Sequence, residues 1–219
     1  MKVEQAIEKG IDLEELKQEQ KKLAKLISLK DQFDIKSAQK FAGIFTETIN
    51  RDILAVVVVL DENFEVIDRK YSIQKARFPY IPGFRAYREL NVIIDAFSKL
   101  ETEPDVVFIL GHGISHESGL GIASHLGISL QKPVIGIAKN LIYGEEKENK
   151  VYIDYKVVAE KLKTKEGARE IYVSPGNLIS LKTALELTKK FVRDNHKLPE
   201  TIIEARKFAK DIREEVVID

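Results

Sequence analysis

The sequence has no cysteine, so disulfides, thiolate zinc sites and cysteine nucleophiles are excluded before any motif is read. A metal would have to sit on carboxylates, histidines or backbone oxygens. Tryptophan is absent and methionine occurs once. No apolar run reaches the roughly eighteen residues that a bilayer span needs, and the opening MKVEQAIEKG lacks the apolar core of a signal peptide. A cytoplasmic protein with no membrane partner is expected. An excess charge of one sign is missing as well: Lys plus Arg and Asp plus Glu each number 35. A polyanionic partner would therefore need a local basic patch. Charge of both signs is abundant, at 32% of residues, which suits a heat-adapted surface laced with ion pairs. With 219 residues, 44% of them hydrophobic, the chain can bury one sizeable core, and a single domain over 1–219 is expected.

Hydrophobic periodicity orders the elements. Leu16, Leu23, Leu26 and Ile27 recur at helical spacing within 11–30, and Asp12 followed by Glu15 has the form of a capping box. FAGIFTE, ILAVVVVLD and FEVIDRKYSI then follow, separated by turn formers at 50–52 and 61–63, and predict a three-strand antiparallel meander. Four successive valines, Val56 to Val59, place the middle strand inside the sheet. A helix is predicted over 84–100, from Phe84, Tyr87, Ile94, Phe97 and Leu100. DVVFIL, GLGIASHLGISL and PVIGIA then read as a βαβ unit with a parallel pair. A strand or two near 151–155 and 171–173, and helices near 179–193 and 200–214, complete the chain. An α/β protein results, with the element order of a ribonuclease H-like fold: a mixed central sheet, meander plus parallel strands, flanked by helices.

Several segments stand out against this frame: FPYIPGFRAYRE at 78–89, GHGISH at 111–116 with GIASHLG at 121–127, PVIGIAK ending in Lys139, SPGN at 174–177 and LPE at 198–200. In order and spacing they resemble the endonuclease V family of deoxyinosine 3′ endonucleases, with similarity from roughly residue 13 to residue 214. The resemblance implies a magnesium-dependent phosphodiester hydrolase of DNA repair that cuts DNA or RNA near inosine or another deaminated base. It implies that Tyr80 is the wedge tyrosine, Glu89 a metal-binding glutamate and Lys139 an active-site lysine. Such chemistry needs carboxylates because a hard cation with oxygen ligands must orient the attacking water and neutralise charge on the phosphate.

The chain departs from the family pattern at its chemical centre. The family's Ala-Gly-Val-Asp reads Ala42, Gly43, Ile44, Phe45, and the aspartate before the Gly-His-Gly loop is Leu110. A histidine of the last helix aligns with Arg206, and a proline-arginine pair of the loop becomes Glu117 and Ser118. Glu89 and Lys139 remain. Burying Glu89 among hydrocarbon requires a counter-charge, for which Arg206 is the expected partner. Glu47, two residues beyond Phe45 and on the same strand face, is a candidate second carboxylate for a weak metal site.

Other residues admit two readings each. Tyr80, between prolines and followed by Pro82 and Gly83, is either a stacking wedge for a turned-out base or a tyrosine fixed in a rigid turn. Gly111, Gly113 and Gly121 permit close approach of backbone donors to a nucleotide, or tight helix-to-sheet packing. His112, His116 and His125, with Ser124, are expected beside nucleic acid, the alternatives being a three-histidine zinc site or loop hydrogen bonding. Lys189, Lys190, Arg193, His196 and Lys197 with Lys207, Lys210 and Arg213 are either a phosphate contact or a solvated face, since acidic residues are interleaved. The leading expectation is a binder of inosine-containing nucleic acid with weak or no cleavage and no required cofactor. An active enzyme using Mg²⁺, and a scaffold for a protein partner, are the alternatives.

Overall fold

The computed structural model describes residues 10–31, 34, 37–193 and 195–217. Helix α1 spans Leu13–Ala24, with the Asp12 side chain accepting from the backbone N–H of Glu14 and Glu15 at 2.9 and 3.1 Å. It is shorter than its periodicity predicts. Beyond it the Ser28 N–H donates to Asn177 Oδ1 at 3.0 Å, and the Ser28 carbonyl accepts from the Leu178 N–H at 2.7 Å. These bonds draw the chain away from the helix axis, and Leu26 is left exposed.

The meander is β1 Phe41–Ile49, β2 Asp52–Leu60 and β3 Val66–Lys75, antiparallel throughout. Helix α2, Arg85–Ser98, leads to β4 Val106–Leu110, and α3, Ile122–Leu130, leads to β5 Val134–Ala138. Strands β1, β4 and β5 run parallel. Four further strands follow: β6 Glu145–Lys147, β7 Lys150–Ile153, β8 Lys156–Leu162 and β9 Ile171–Asn177. Helices α4, Leu181–Phe191, and α5, Glu200–Val217, close the sequence of elements. The nine strands form one sheet in the order β3-β2-β1-β4-β5-β9-β8-β7-β6. This is the mixed α/β sheet of the ribonuclease H-like expectation.

Helices cover both faces. Ile53, Ala55, Val57 and Val59 of β2 pack with Ile93 and Ala96 of α2, whereas Leu54, Val56, Val58 and Leu60 meet Ala205, Ala209 and Ile212 of α5. The valine run is thus buried on two sides, as its lack of alternation predicts. Close approach of β1 to α5 depends on Gly43, where a Cβ would lie 1.9 Å from the Thr201 carbonyl oxygen. Strands β1, β4 and β5 end at one edge, and in open α/β sheets ligands bind outside such carboxyl ends. Among the described residues, no helix is long and apolar enough to cross a membrane.

Candidate functional site

A cavity of about 540 Å³ opens at that edge. Its wall takes Phe45 from β1, Leu110 from the end of β4 and Lys139 just after β5. Tyr80, Pro82, Gly83 and Arg85 come from the segment leading into α2, and Gly111, His112, His116 and Gly121 from the loop before α3. Residues far apart in sequence are therefore brought together, although Glu89 is not on the wall. Gly113, Ser124 and His125 are not on the wall. The Gly113 N–H donates to Ser174 Oγ at 2.7 Å, and His125 packs edge-on against Tyr87 with ring centroids 5.5 Å apart.

The centre of the site is a guanidinium that sequence reasoning missed. Arg85 Nε donates to both Glu89 carboxylate oxygens at 2.9 Å. Its Nη1 donates to the Leu110 carbonyl at 2.6 Å, and its Nη2 to Thr46 Oγ1 at 2.9 Å. Thr46 Oγ1 in turn donates to Glu89 Oε2 at 2.6 Å. The counter-charge of Glu89 is therefore Arg85 and not Arg206. Arg206 instead lies over the Phe45 ring, 5.8 Å from its centroid. A signal was present: Arg85 and Glu89 are four apart at the start of a helix, the spacing at which an arginine and a glutamate meet.

Glu47 shares the strand face of Phe45, but it is turned toward α5, where its Oε2 lies 3.6 Å from Arg213 Nη1. Thr46, the next residue back and on the opposite face, is the β1 residue that reaches Glu89. Glu47 and Glu89 thus do not converge. Among the described residues, no group of three or more His, Asp or Glu could hold a metal ion. This also removes the three-histidine arrangement.

Burial sets the histidines. His112 is pushed down to about 4 by burial and then by the charge of His116, and its Nδ1 is buried without a hydrogen-bond partner. His116 and His125 are lowered mainly by burial. All three are neutral at neutral pH. His116 Nδ1 lies 2.9 Å from Ser118 Oγ. Lys139 is held below the ordinary lysine value, by burial first and then by the positive charges of Arg206 and Lys197.

The glycines divide by role. A Cβ at Gly113 would sit 2.0 Å from the Pro175 carbonyl oxygen, and one at Gly121 would sit 2.2 Å from that of His112, so both are demanded by packing. Gly83 has open space and a φ of +84°, and its carbonyl accepts from the buried Gln20 side chain of α1 at 2.8 Å. Tyr80, three residues before it, is 52% exposed and lines the cavity. The C-terminal basic residues are mostly spent internally: Lys207 pairs with Glu204, Lys210 with Glu214, and Arg193 covers the Phe64 ring. The cavity can thus offer positive charge, neutral imidazoles and an exposed aromatic ring to a ligand.

Comparison with known proteins finds relatives over nearly the whole chain. The chain matches the Endonuclease V family over residues 21–207. It is 41% identical over 203 residues to the endonuclease V of Thermosipho melanesiensis, covering 88% of this chain and 89% of that protein. It is 33% identical over 214 residues to that of Kosmotoga olearia, covering 93% of each. The crystal structure of endonuclease V from Bacillus subtilis superposes with a TM-score of 0.84 at 29% identity, covering 94% of this chain and 93% of that one. A structure of the Ciona intestinalis enzyme, in complex with a 24mer DNA containing an inosine followed by a ribo-adenosine, shares the fold. Its TM-score is 0.84 at 23% identity, with 93% of this chain and 98% of that chain covered.

Proposed function

The chain belongs to the endonuclease V family, and we propose that it is a single-domain nucleic-acid-binding protein that recognises inosine or another deaminated base and cleaves phosphodiesters weakly or not at all. The observation that carries this reading is the engagement of Glu89. Both of its oxygens are held by Arg85, one of them also by Thr46, and the neighbouring strand ends present the Phe45 ring and the Leu110 side chain. Magnesium demands near-octahedral oxygen coordination and usually takes one or two carboxylates. These residues do not fit such an ion, because the Glu89 carboxylate is neutralised by Arg85, the Thr46 hydroxyl is bonded to that pair, and Phe45 and Leu110 carry no side-chain oxygen.

Binding is favoured by what the cavity keeps. Tyr80, Gly83 and Lys139 line it together; in this reading the Tyr80 ring would stack where a base leaves the duplex, and Lys139 would supply positive charge for the backbone. The inosine-containing DNA in the Ciona complex is the ground for naming an inosine-containing strand, DNA or RNA, as the ligand. Such a protein would read deaminated nucleic acid in the cytoplasm rather than incise it. The test is binding and nicking of one inosine oligonucleotide, with and without Mg²⁺. Binding without metal-dependent nicking is expected; nicking at a rate comparable with an active relative would return the chain to the Mg²⁺-dependent enzymes.

A further inference from the structure

A guanidinium carries five N–H donors in a fixed fork. In Arg85 three are committed: the Nε–H to Glu89, one Nη1–H to Leu110 and one Nη2–H to Thr46. One donor remains on each Nη. The side chain is 32% exposed and lines the cavity, so these two donors belong to a group that is held rigidly yet reached from outside. Glu89 cancels the Arg85 charge, but Lys139 lies on the same wall and has no ion-pair partner among the described residues. Arg206, over Phe45, likewise has none. Glu117 is the acidic residue of the wall, and it acts on His116. Around the centre, positive charge therefore exceeds negative, with no metal required.

We infer that Arg85 is a built-in cation: anchored by Glu89, Thr46 and the Leu110 carbonyl, its free N–H edge binds a phosphate of the nucleic-acid strand together with Lys139, without a divalent ion. This rests on the nucleic-acid reading above. An arginine suits the task because its planar fork can hold a carboxylate on one edge and phosphate oxygens on another, which an ammonium cannot. The three internal bonds fix the fork before ligand arrives, so little side-chain freedom is lost on binding.

The test compares the full chain with Arg85→Lys and with the double variant Arg85→Met, Glu89→Gln. The double variant removes the cation without leaving an ionised carboxylate unpaired, and thermal unfolding confirms that it folds. Affinity is read by fluorescence anisotropy for inosine-containing and plain oligonucleotides in EDTA and in Mg²⁺, over a range of salt. The arginine Nε–H resonance is followed while inorganic phosphate is added. The expected result is wild-type binding that is equal in EDTA and Mg²⁺. The double variant should lose about tenfold or more, and Arg85→Lys should fall between. Arg85 dependence on both oligonucleotides, with no preference for inosine, would sink the base-recognition reading and keep this inference. A phosphate-induced shift of the Arg85 resonance without binding of either strand would sink the nucleic-acid reading alone. Binding that requires Mg²⁺, or that is unchanged in a folded double variant, would overturn the role of Arg85, as would silence of its resonance toward phosphate.

Discussion

Arg85 Nε stands 2.9 Å from each oxygen of Glu89, one helical turn further along α2. Glu89 is 8% exposed, so its charge has little water to rely on. Removing the cation alone, by Arg85→Met, leaves a carboxylate largely desolvated, whereas Glu89→Gln leaves an arginine that can still reach solvent. A double-mutant cycle in urea is expected to return a coupling of about 1–3 kcal/mol. Arg85→Met should be the costlier single change. A coupling near zero would mean that the pair is an incidental contact.

The same pair changes how a metal site could be restored. Phe45→Asp with Leu110→Asp supplies the two carboxylates that the resemblance expects, but both would arrive beside a guanidinium already bonded to Glu89 and to the Leu110 carbonyl. The double variant should therefore show little manganese binding by calorimetry. Adding Arg85→Leu frees Glu89 and removes the competing cation, and binding should then appear, accompanied by metal-dependent stabilisation. Equal manganese affinity with and without Arg85 would contradict the competition.

His112 links stability to pH. Its folded value is pushed down to about 4 from 6.5, first by burial and then by His116. A histidine with a depressed value contributes stability that is fully present above its unfolded value. That stability is lost as pH falls toward the folded one, because the unfolded chain takes up the proton first. The contribution at stake is on the order of 3 kcal/mol, and His116 and His125, lowered mainly by burial, act with the same sign. The urea midpoint should fall between about pH 7 and pH 5, and His112→Gln should flatten that fall. Parallel curves for the two proteins would assign the acid sensitivity elsewhere.

The meander, the βαβ unit and the long helices were legible because their burial follows simple periods. Strands β6 and β8 were not: Glu145–Lys147 is charged and exposed throughout, and Lys156–Leu162 mixes lysines with its apolar residues. Backbone pairing to β7 and β9 holds them in the sheet rather than a hydrophobic pattern. At the site, motif spacing gathered Tyr80, His112 and Lys139 onto one wall. The partner of Glu89 was not legible because the resemblance points to the last helix for a counter-charge. Arg85 was four residues away on the same helix, and Thr46 lay between two residues that drew notice for their chemistry.

Glycine substitutions separate packing from access. Gly43→Ala would drive a methyl to within 1.9 Å of the Thr201 carbonyl oxygen and would force α5 off β1. A loss of about 3 kcal/mol or more is expected, or failure to fold. Gly83→Ala meets nothing closer than 3.9 Å, and its cost is that of a non-glycine residue at φ +84°. About 1–2 kcal/mol is expected there, with ligand affinity disturbed more than stability. Similar urea midpoints for the two variants would refute the distinction.

Tyr80 gives the most direct test of the binding face. Tyr80 is 52% exposed on the cavity wall, so truncation removes less buried area than at a core position. If the ring fills the place of a displaced base, Tyr80→Ala forfeits one stacking contact, worth about 1–3 kcal/mol or roughly tenfold in affinity. Tyr80→Phe keeps the ring and should bind nearly as the parent does. Thermal midpoints of both variants should stay close to wild type. A loss equal in the two variants would point to the hydroxyl instead of the ring, and a loss matched by a lowered midpoint would make Tyr80 a support of the turn between Tyr80 and Gly83.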